Sequence, residues 1–181
     1  MRKVVSYLLS SVDGVVQDNQ DFALDYFDDE MYGHLKALID RQDAVLLGRR
    51  TYEMWADYWP TSTHEPFAGF INSTPKHVAS TTLQEVSWPN AHLIQGDVAE
   101  EVARLKAEPG RDIGIHGSPE LMRRLLCHDL VDELKLAVFP VGVAKGSRLF
   151  DGLDQTRHLQ LTDVDRTAKG VLVLTYRPLA T

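Results

Sequence analysis

Two adjacent arginines follow directly on an apolar run in the stretch AVLLGRRTY (44–52). Gly48 lets the backbone turn tightly and lets a ligand approach the main chain closely. A helix is predicted to follow, and cations in a first helical turn oppose the helix dipole, which favours Asp, Ser or Glu there. Arg49 and Arg50 therefore indicate an external anion, such as a phosphate. Alternatively both guanidinium groups pair with surface carboxylates, and local chemistry leaves the two interpretations open.

Hydroxyl groups follow the next short apolar run, in HVASTT (77–82). The side chains of Ser80 and Thr81 could donate hydrogen bonds to a phosphate or to a ribose. They could equally cap a following helix, whose start is indicated by Thr82 and Glu85 at capping-box spacing. This junction by itself does not distinguish a ligand site from a helix cap.

A third junction, IHGSPE (115–120), combines a glycine with a helix start. Ser118 is predicted as the N-cap and Pro119 as the first helical residue. Gly117 allows a ligand to approach closely, and the amide and hydroxyl of Ser118 lie where a pyrophosphate could bind. Glu120 could instead satisfy the helix terminus as a first-turn acid. Three such junctions on one edge of a sheet together favour a ligand that carries phosphate groups.

Several other chemistries lack their motifs in this sequence. There is no Walker P-loop and no G-x-G-x-x-G after the first strand, which argues against P-loop and ordinary Rossmann proteins. The histidines show no metal-binding spacing, so we expect no metal site. A hydrolase using Ser118 and His116 is a less favoured alternative, because Ser118 lies outside a G-x-S-x-G motif and neighbouring strand residues point apart.

Composition is that of a globular protein with an acidic surface. The 181 residues suit a single domain spanning 1–181, and the net charge of −7 argues against a nucleic-acid partner. No stretch approaches the roughly 18 apolar residues of a membrane helix. Serines interrupt the apolar N-terminus, which predicts a first strand rather than a signal peptide. The single cysteine, Cys127, excludes an intrachain disulfide and suggests a cytoplasmic location.

Strand-like and helix-like segments alternate along most of the chain. Strands are predicted over 3–10, 44–48, 77–80, 91–95, 112–117 and 133–141. Helices are predicted over 28–40, 51–59 and 97–107, and from Ser118 onwards. The last two strands, 158–164 and 170–177, form a predicted hairpin. This order predicts an α/β fold with a doubly wound, mainly parallel sheet, helices on both faces and a C-terminal antiparallel hairpin, with ligands beyond the carboxyl ends of the strands.

Four segments resemble the dihydrofolate reductase fold. Within that fold, they are most similar to the reductase domain of the bifunctional riboflavin-biosynthesis deaminase–reductase. The segments, in the order of that family, are SSVDGVV (10–16), LLGRRTYEMW (46–55), IHGSPELMRRLL (115–126) and LVDELKLAVFPVGVAKGSRLF (130–150). The resemblance implies a doubly wound domain of the dihydrofolate reductase type that binds NADPH along the strand ends.

The same resemblance implies where the phosphates of NADPH bind. Gly48 would lie beside them, with Arg49 or Arg50 on the 2′-phosphate and Thr51 at the pyrophosphate. Ser80 and Thr81 would help to hold the 2′-phosphate and the adenine end. Which arginine takes which phosphate stays open.

The nicotinamide end is implied to lie near two other segments. Gly117 and Ser118 would lie under the pyrophosphate and the nicotinamide, and Val16 would lie beside the nicotinamide. Asp13 is a candidate catalytic residue by this position, although Asp13 and the glycine after it also form a turn signal. Glu30 is the acid nearest to the place where dihydrofolate reductases hold a carboxylate against the pterin, but it also suits a first-turn acid.

We therefore expect an NADPH-dependent reductase that passes a hydride to a C=N or C=O group of a small heterocycle. A pyrimidine or pterin-like compound is favoured over dihydrofolate, because Tyr32 stands where the pterin-binding acid is expected. Resemblance to 5-amino-6-(5-phosphoribosylamino)uracil reductase makes that reaction a candidate. The alternative is a non-catalytic NADP-binding or sensor domain. The resemblance also implies a homodimer through the C-terminal strands, with a small-molecule substrate and no membrane partner.

Overall fold

The computed structural model describes residues 1–179. The strands are β1 Val4–Ser11, β2 Gln42–Gly48, β3 Lys76–Ala79, β4 Ala91–Leu93, β5 Asp112–His116, β6 Glu133–Phe139, β7 Leu159–Arg166 and β8 Leu172–Pro178. The helices are α1 Gln20–Ala23, α2 Asp29–Ile39, α3 Arg49–Tyr58, α4 Phe67–Ser73, α5 Val98–Ala107 and α6 Pro119–Cys127, with short 3-10 turns at Leu24–Tyr26 and Trp59–Thr61.

The strands form one sheet in the order β4-β3-β2-β5-β1-β6-β8-β7. Strands β1 to β6 pair in parallel with one another, and β8 pairs antiparallel with both β6 and β7. The predicted doubly wound, mainly parallel sheet with a C-terminal antiparallel hairpin is therefore confirmed. The central strands β1, β2 and β5 are covered on both faces, which is why their sequences show continuous apolar runs.

One face of the sheet packs against α5 and α6, and the other packs against α2, α4 and the start of α3. The apolar side of α5 consists of residues at helical spacing: Val98, Val102 and Leu105. Two helices begin with an aspartate cap, since the Asp28 carboxylate accepts from Met31 N at 3.1 Å and the Asp97 carboxylate accepts from Ala99 N at 2.7 Å. The helices predicted over 28–40 and 97–107 are thus present.

The predicted helix after β3 is wrong. Residues 80–88 form an irregular loop, and the Ser80 hydroxyl accepts hydrogen bonds from Thr82 N (3.1 Å) and Leu83 N (3.0 Å). Farther along, the Tyr52 hydroxyl accepts from Ser87 N at 2.8 Å. These side chains satisfy backbone groups that a helix would otherwise satisfy internally, so the capping-box spacing at Thr82 does not nucleate a helix.

Helix α4 was not predicted from the sequence. It is only 7 residues long, it contains Gly69, and it follows Pro66, so its sequence has little helical periodicity. Phe67 and Ile71 bury its inner side against the sheet. Lys76, fully buried just after the helix, donates to the Ile71 and Thr74 carbonyls at 2.8 and 2.9 Å. Tertiary packing and this lysine therefore stabilise a helix that local propensity does not specify.

A polar pair crosses the centre of the sheet above Gly114. The Gln42 side chain extends from the start of β2 so that its Oε1 lies 2.6 Å from His116 Nε2, at the end of β5. A Cβ atom added at Gly114 would lie 2.6 Å from Gln42 Cδ and 2.8 Å from His116 Nε2. Only glycine leaves room for this pair on β5.

We expect Gly114→Ala to lower the free energy of unfolding by about 1–3 kcal/mol, because the added methyl group overpacks the sheet. The matched control is Gly33→Ala in α2, where an added Cβ meets no heavy atom within 4 Å. That control should raise the free energy of unfolding by about 1 kcal/mol through helix propensity. Urea denaturation of the two variants measures both changes, and a Gly114→Ala protein as stable as wild type would contradict the packing argument.

Candidate active site

The three predicted junctions lie at the carboxyl ends of neighbouring strands. Because β3, β2 and β5 are adjacent, the segments that follow them share one edge of the sheet. These segments are Ser80–Thr81, Gly48–Thr51 and Gly117–Ser118. Strand β1 comes next, and its end leads into residues 13–16. The structure thus brings the predicted cofactor residues into one continuous row.

Ser118 joins two of these junctions directly. Its hydroxyl accepts a hydrogen bond from Gly48 N at 2.7 Å and donates one to Thr51 Oγ1 at 2.8 Å. A Cβ atom at Gly48 would lie 3.0 Å from that hydroxyl, which accounts for the glycine. Ser118 occupies the N-cap position and Pro119 the first helical position, as predicted, but the Ser118 side chain does not cap α6. Its left-handed backbone (φ 54°) differs from the extended backbone from which N-cap side chains reach the helix amides.

The N-termini of α3 and α6 have no side-chain cap in the described part of the chain. The first turn of α3 also has no acidic residue, whereas Glu120 lies in the first turn of α6, as the alternative interpretation of that junction expected. By contrast, α2 and α5 are capped by Asp28 and Asp97, while the short helices α1 and α4 are also uncapped. Two uncapped helix starts held side by side present free N–H groups and two positive dipole ends to the same space. This arrangement fits a pyrophosphate, so the residues present are compatible with a dinucleotide cofactor.

The two arginines of α3 have different environments. Arg49 Nη1 contacts both carboxylate oxygens of Glu53, at 2.9 and 3.2 Å, one helical turn farther on. Arg50 is exposed, and its guanidinium group forms no hydrogen bond or ion pair with another residue in 1–179. The alternative of pairing with a surface carboxylate therefore holds for Arg49 and not for Arg50. Since both partners of the Arg49 pair are solvent-exposed, that pair contributes little to stability.

Tyr52 positions the loop that carries Ser80 and Thr81, and sequence reasoning did not identify it. Its ring is buried, and its hydroxyl accepts from Ser87 N (2.8 Å) and Trp88 N (3.3 Å). Thr81 is exposed in this loop. From the sequence, Tyr52 looks like an ordinary packing residue on the inner side of a helix. Its role in holding the loop could not be predicted, because the amides that it binds lie more than thirty residues away.

The segment predicted beside the nicotinamide is fixed by contacts with the loop after β6. Val16 is buried, and its N–H donates to Ser147 O at 3.0 Å. The Asp13 carboxylate accepts from Val143 N, the Ser11 hydroxyl and Ala144 N at 2.8–3.0 Å. These hydrogen bonds, that from Val143 N foremost, lower the pKa of Asp13 to about 2. Asp13 is therefore an ionised acceptor near neutral pH.

Glu30 is also bound to the backbone. It lies in the first turn of α2, as expected for an acid that compensates the helix dipole, and its Oε2 accepts from Ala168 N at 2.6 Å. Ala168 lies in the turn between β7 and β8. The adjacent Lys169 donates to Asp25 O at 2.6 Å, so the turn is tied to this part of the molecule at two points.

His116 and Ser118 do not form a catalytic pair. The His116 ring is buried against Phe67 and Phe70 and bonds to Gln42, whereas the Ser118 hydroxyl is engaged with Gly48 and Thr51. Burial lowers the pKa of His116 to about 3, so the imidazole is neutral at physiological pH. The hydrolase alternative therefore lacks the contact that it requires.

The low pKa of His116 makes a pH-dependent stability change testable. Between its ordinary value of 6.5 and the folded value of about 3, the unfolded chain binds a proton that the folded chain does not. Stability should therefore fall as the pH falls through this window. We expect His116→Gln to lose less stability than wild type between about pH 7 and about pH 4.5. Urea denaturation at the two pH values measures this, and equal losses would contradict it.

Within residues 1–179, no group of three or more His, Cys, Asp or Glu side chains could hold a metal ion. In the same range, no helix has both the length and the apolarity needed to cross a membrane.

Solved structures share this fold. A proposed riboflavin biosynthesis protein from Shewanella sp. PV-4 aligns with a TM-score of 0.78 at 22% identity, covering 98% of this chain and 99% of that one. The deaminase/5-amino-6-(5-phosphoribosylamino)uracil reductase of Thermotoga maritima aligns with a TM-score of 0.71 at 14% identity, covering 98% of this chain and 57% of that one. Enterococcus faecalis dihydrofolate reductase, in complex with NADP(H), aligns with a TM-score of 0.61 at 13% identity, covering 97% and 96%. These likenesses confirm the dihydrofolate reductase-like fold.

Relatives by sequence extend over nearly the whole chain. The uncharacterised protein YyaP of Bacillus subtilis is 27% identical over 180 residues, which cover 97% of this chain and 94% of YyaP. A model of the RibD C-terminal domain matches residues 2–173. The resemblance seen in the four sequence segments is thereby confirmed, and the chain belongs to the RibD C-terminal domain family.

Proposed function

We propose that this chain is an NADPH-dependent reductase of a small heterocycle, acting as one domain over residues 1–181. The observation that carries the proposal is the pair of uncapped helix starts joined through the Ser118 hydroxyl, with the free Arg50 beside them. Membership of the RibD C-terminal domain family supports a reductase, and a structural neighbour in complex with NADP(H) supports the cofactor. The single cysteine suits a reducing, cytoplasmic environment.

The proposal assigns the phosphates of the cofactor to the row of junctions. The pyrophosphate lies against the amides at the starts of α3 and α6, with Gly48 and Thr51 on one side and Gly117 and Ser118 on the other. The 2′-phosphate lies toward β3, the strand on the far side of β2 from β5. There Arg50 takes the principal ionic contact, because Arg49 is already paired with Glu53.

Ser80 and Thr81 support the adenine end, on the loop that Tyr52 holds. Val16 lies at the opposite end of the row, beside the nicotinamide. When bound, NADPH supplies a hydride for a C=N or C=O group of a pyrimidine or pterin-like compound. We assign no proton transfer to Asp13 or Glu30, because each carboxylate already accepts backbone N–H groups.

Titration with NADPH and NADH tests the cofactor assignment. We expect Arg50→Ala to weaken NADPH binding roughly tenfold, the loss of one charged hydrogen bond, and to leave NADH binding unchanged. Arg49→Ala should have a smaller effect because Glu53 already neutralises that arginine. Arg41→Ala is the matched control, since Arg41 precedes β2 at the opposite edge. Equal weakening of NADPH and NADH by Arg50→Ala would contradict the 2′-phosphate assignment.

The alternative function is a non-catalytic NADP-binding or sensor domain, which would bind the cofactor at the same residues. Oxidation of NADPH in the presence of a panel of pyrimidines and pterins distinguishes the two. Turnover of any of them supports the reductase, whereas tight NADPH binding without turnover across the panel favours the sensor. The panel includes 5-amino-6-(5-phosphoribosylamino)uracil and dihydrofolate.

We also propose that the protein is a homodimer through the β7–β8 hairpin. A register shift between Leu161 and Asp163 places Leu161 opposite Tyr176 and Val164 opposite Leu174. On β8, the side chains of residues 172, 174 and 176 lie on the same face of the hairpin. Leu161 and Val164 pair with residues 176 and 174, so they lie on that face together with Leu172. They are 48%, 53% and 38% exposed, respectively. A second copy of the chain would cover this apolar face on an otherwise unpaired edge strand.

Light scattering should therefore give about twice the chain mass of 20.4 kDa. Val164→Lys should shift the protein toward the monomer, because it places a charge within the apolar face. Asp165→Lys on the opposite face of β7 is the control and should remain dimeric. A wild-type mass near that of one chain would refute the dimer.

A further inference from the structure

Two segments at the nicotinamide end of the row are held together along their length. We call residues 12–17 and 141–149 the clamp. Their backbone hydrogen bonds are Val12 N to Val141 O (3.0 Å), Val16 N to Ser147 O (3.0 Å) and Leu149 N to Gly14 O (2.9 Å). The segments follow β1 and β6, which are neighbouring strands, so the clamp lies at the same edge of the sheet as the phosphate-binding junctions.

Side chains from the first segment hold the second. The Gln17 side-chain oxygen accepts from Ser147 N at 3.1 Å. The Asp13 carboxylate accepts from Val143 N at 3.0 Å and from Ala144 N at 2.9 Å, one bond to each oxygen. The Asp13 carboxylate thus joins the two segments through charge-assisted bonds, which reach across 130 residues of sequence.

The carboxylate stabilises a backbone conformation that alanine disfavours. Ala144 has φ 66°, in the left-handed region, where a non-glycine residue costs about 1–2 kcal/mol. Its N–H is one of the two that donate to Asp13. The charge-assisted bond therefore offsets local strain, and the conformation of residues 143–144 depends on a group outside their own segment.

We propose that Asp13 is a positioning residue that holds the clamp closed and thereby places Val16 beside the nicotinamide. This inference rests on the proposed NADPH site and assigns the candidate catalytic carboxylate a different role. The adenine end is held independently, by α3 and the Tyr52 contacts. Asp13 therefore governs the nicotinamide half of the cofactor and not the half that carries the 2′-phosphate.

Asp13→Asn tests the proposal with almost no change in shape. The amide keeps one acceptor oxygen but turns a donor toward one of the two backbone N–H groups, so one of the paired bonds is lost. We expect NADPH to bind roughly tenfold more weakly, from the loss of that bond. Adenosine 2′,5′-bisphosphate, which lacks the nicotinamide, should bind as it does to wild type. The fluorescence of bound NADPH, emitted by the nicotinamide, should shift toward that of free NADPH.

Three further variants separate positioning from general destabilisation. Asp97→Asn is the matched control, because Asp97 also accepts two backbone N–H groups but caps α5. It should leave both affinities unchanged. Adding Ala144→Gly to Asp13→Asn should restore NADPH binding, because glycine adopts the left-handed conformation without strain. Gln17→Ala, a milder change at an exposed residue, should shift NADPH binding in the same direction and keeps the test valid if Asp13→Asn does not fold.

The outcomes distinguish this inference from the function on which it rests. Wild-type protein that binds neither NADPH nor the bisphosphate would overturn the proposed function, and the positioning role with it. Wild-type binding of both, with Asp13→Asn and Gln17→Ala binding NADPH normally, would overturn the positioning role alone. Equal weakening of NADPH and the bisphosphate by Asp13→Asn, without rescue by Ala144→Gly, would also overturn it.

Discussion

Two helix starts with like partial charge lie side by side at the edge of this sheet, and the Ser118 hydroxyl holds them there. Its bonds to Gly48 N and Thr51 Oγ1 join α3 to the β5–α6 junction, although the positive dipole ends repel one another. The first turn of α3 has no acidic residue to offset its dipole, whereas the first turn of α6 contains Glu120. Two adjacent helix N-termini of this kind would suit an anion, which is the basis of the proposed phosphate site.

Loops around this edge are fixed by single side chains that satisfy backbone amides. Tyr52 holds the loop after β3, Asp13 holds the loop after β6, and Glu30 holds the turn between β7 and β8. Each contact joins segments far apart in the sequence, and each fixes its own loop. These contacts include the carboxylates of Asp13 and Glu30, the two candidate catalytic residues. Both groups therefore act in holding loops in place rather than as proton donors.

Most of the fold could be predicted because its signals are local. Apolar runs marked the buried strands, and Asp28 and Asp97 preceded clear helical periodicity. The order of strands and helices then predicted which junctions share an edge. Helix α4 and the loop at 80–88 could not be predicted, because packing of Phe67 and the distant Tyr52 hydroxyl determine them.

The location of the candidate site could be predicted from the sequence, but the side-chain contacts within it could not. The bond between Ser118 and Thr51 spans 67 positions, and no local pattern indicates it. The environments of Asp13 and Glu30 depend on backbone amides about 130 to 138 residues away, which side-chain chemistry does not reveal. One contact could have been predicted: Glu53 lies four residues after Arg49, at the spacing of a helical ion pair, and this distinguishes Arg49 from Arg50.

The Gln42 side chain passes over Gly114 to reach His116, so three positions on two strands share one small volume. A larger residue at Gly114 fits only if Gln42 or His116 is replaced by a smaller residue. Either replacement leaves the other side chain with a buried polar atom that has lost its hydrogen-bond partner. We therefore expect substitutions at these three sites to be correlated. In descendants of this chain, Gln42, Gly114 and His116 should be inherited or replaced together, which restricts the substitutions open to each position alone.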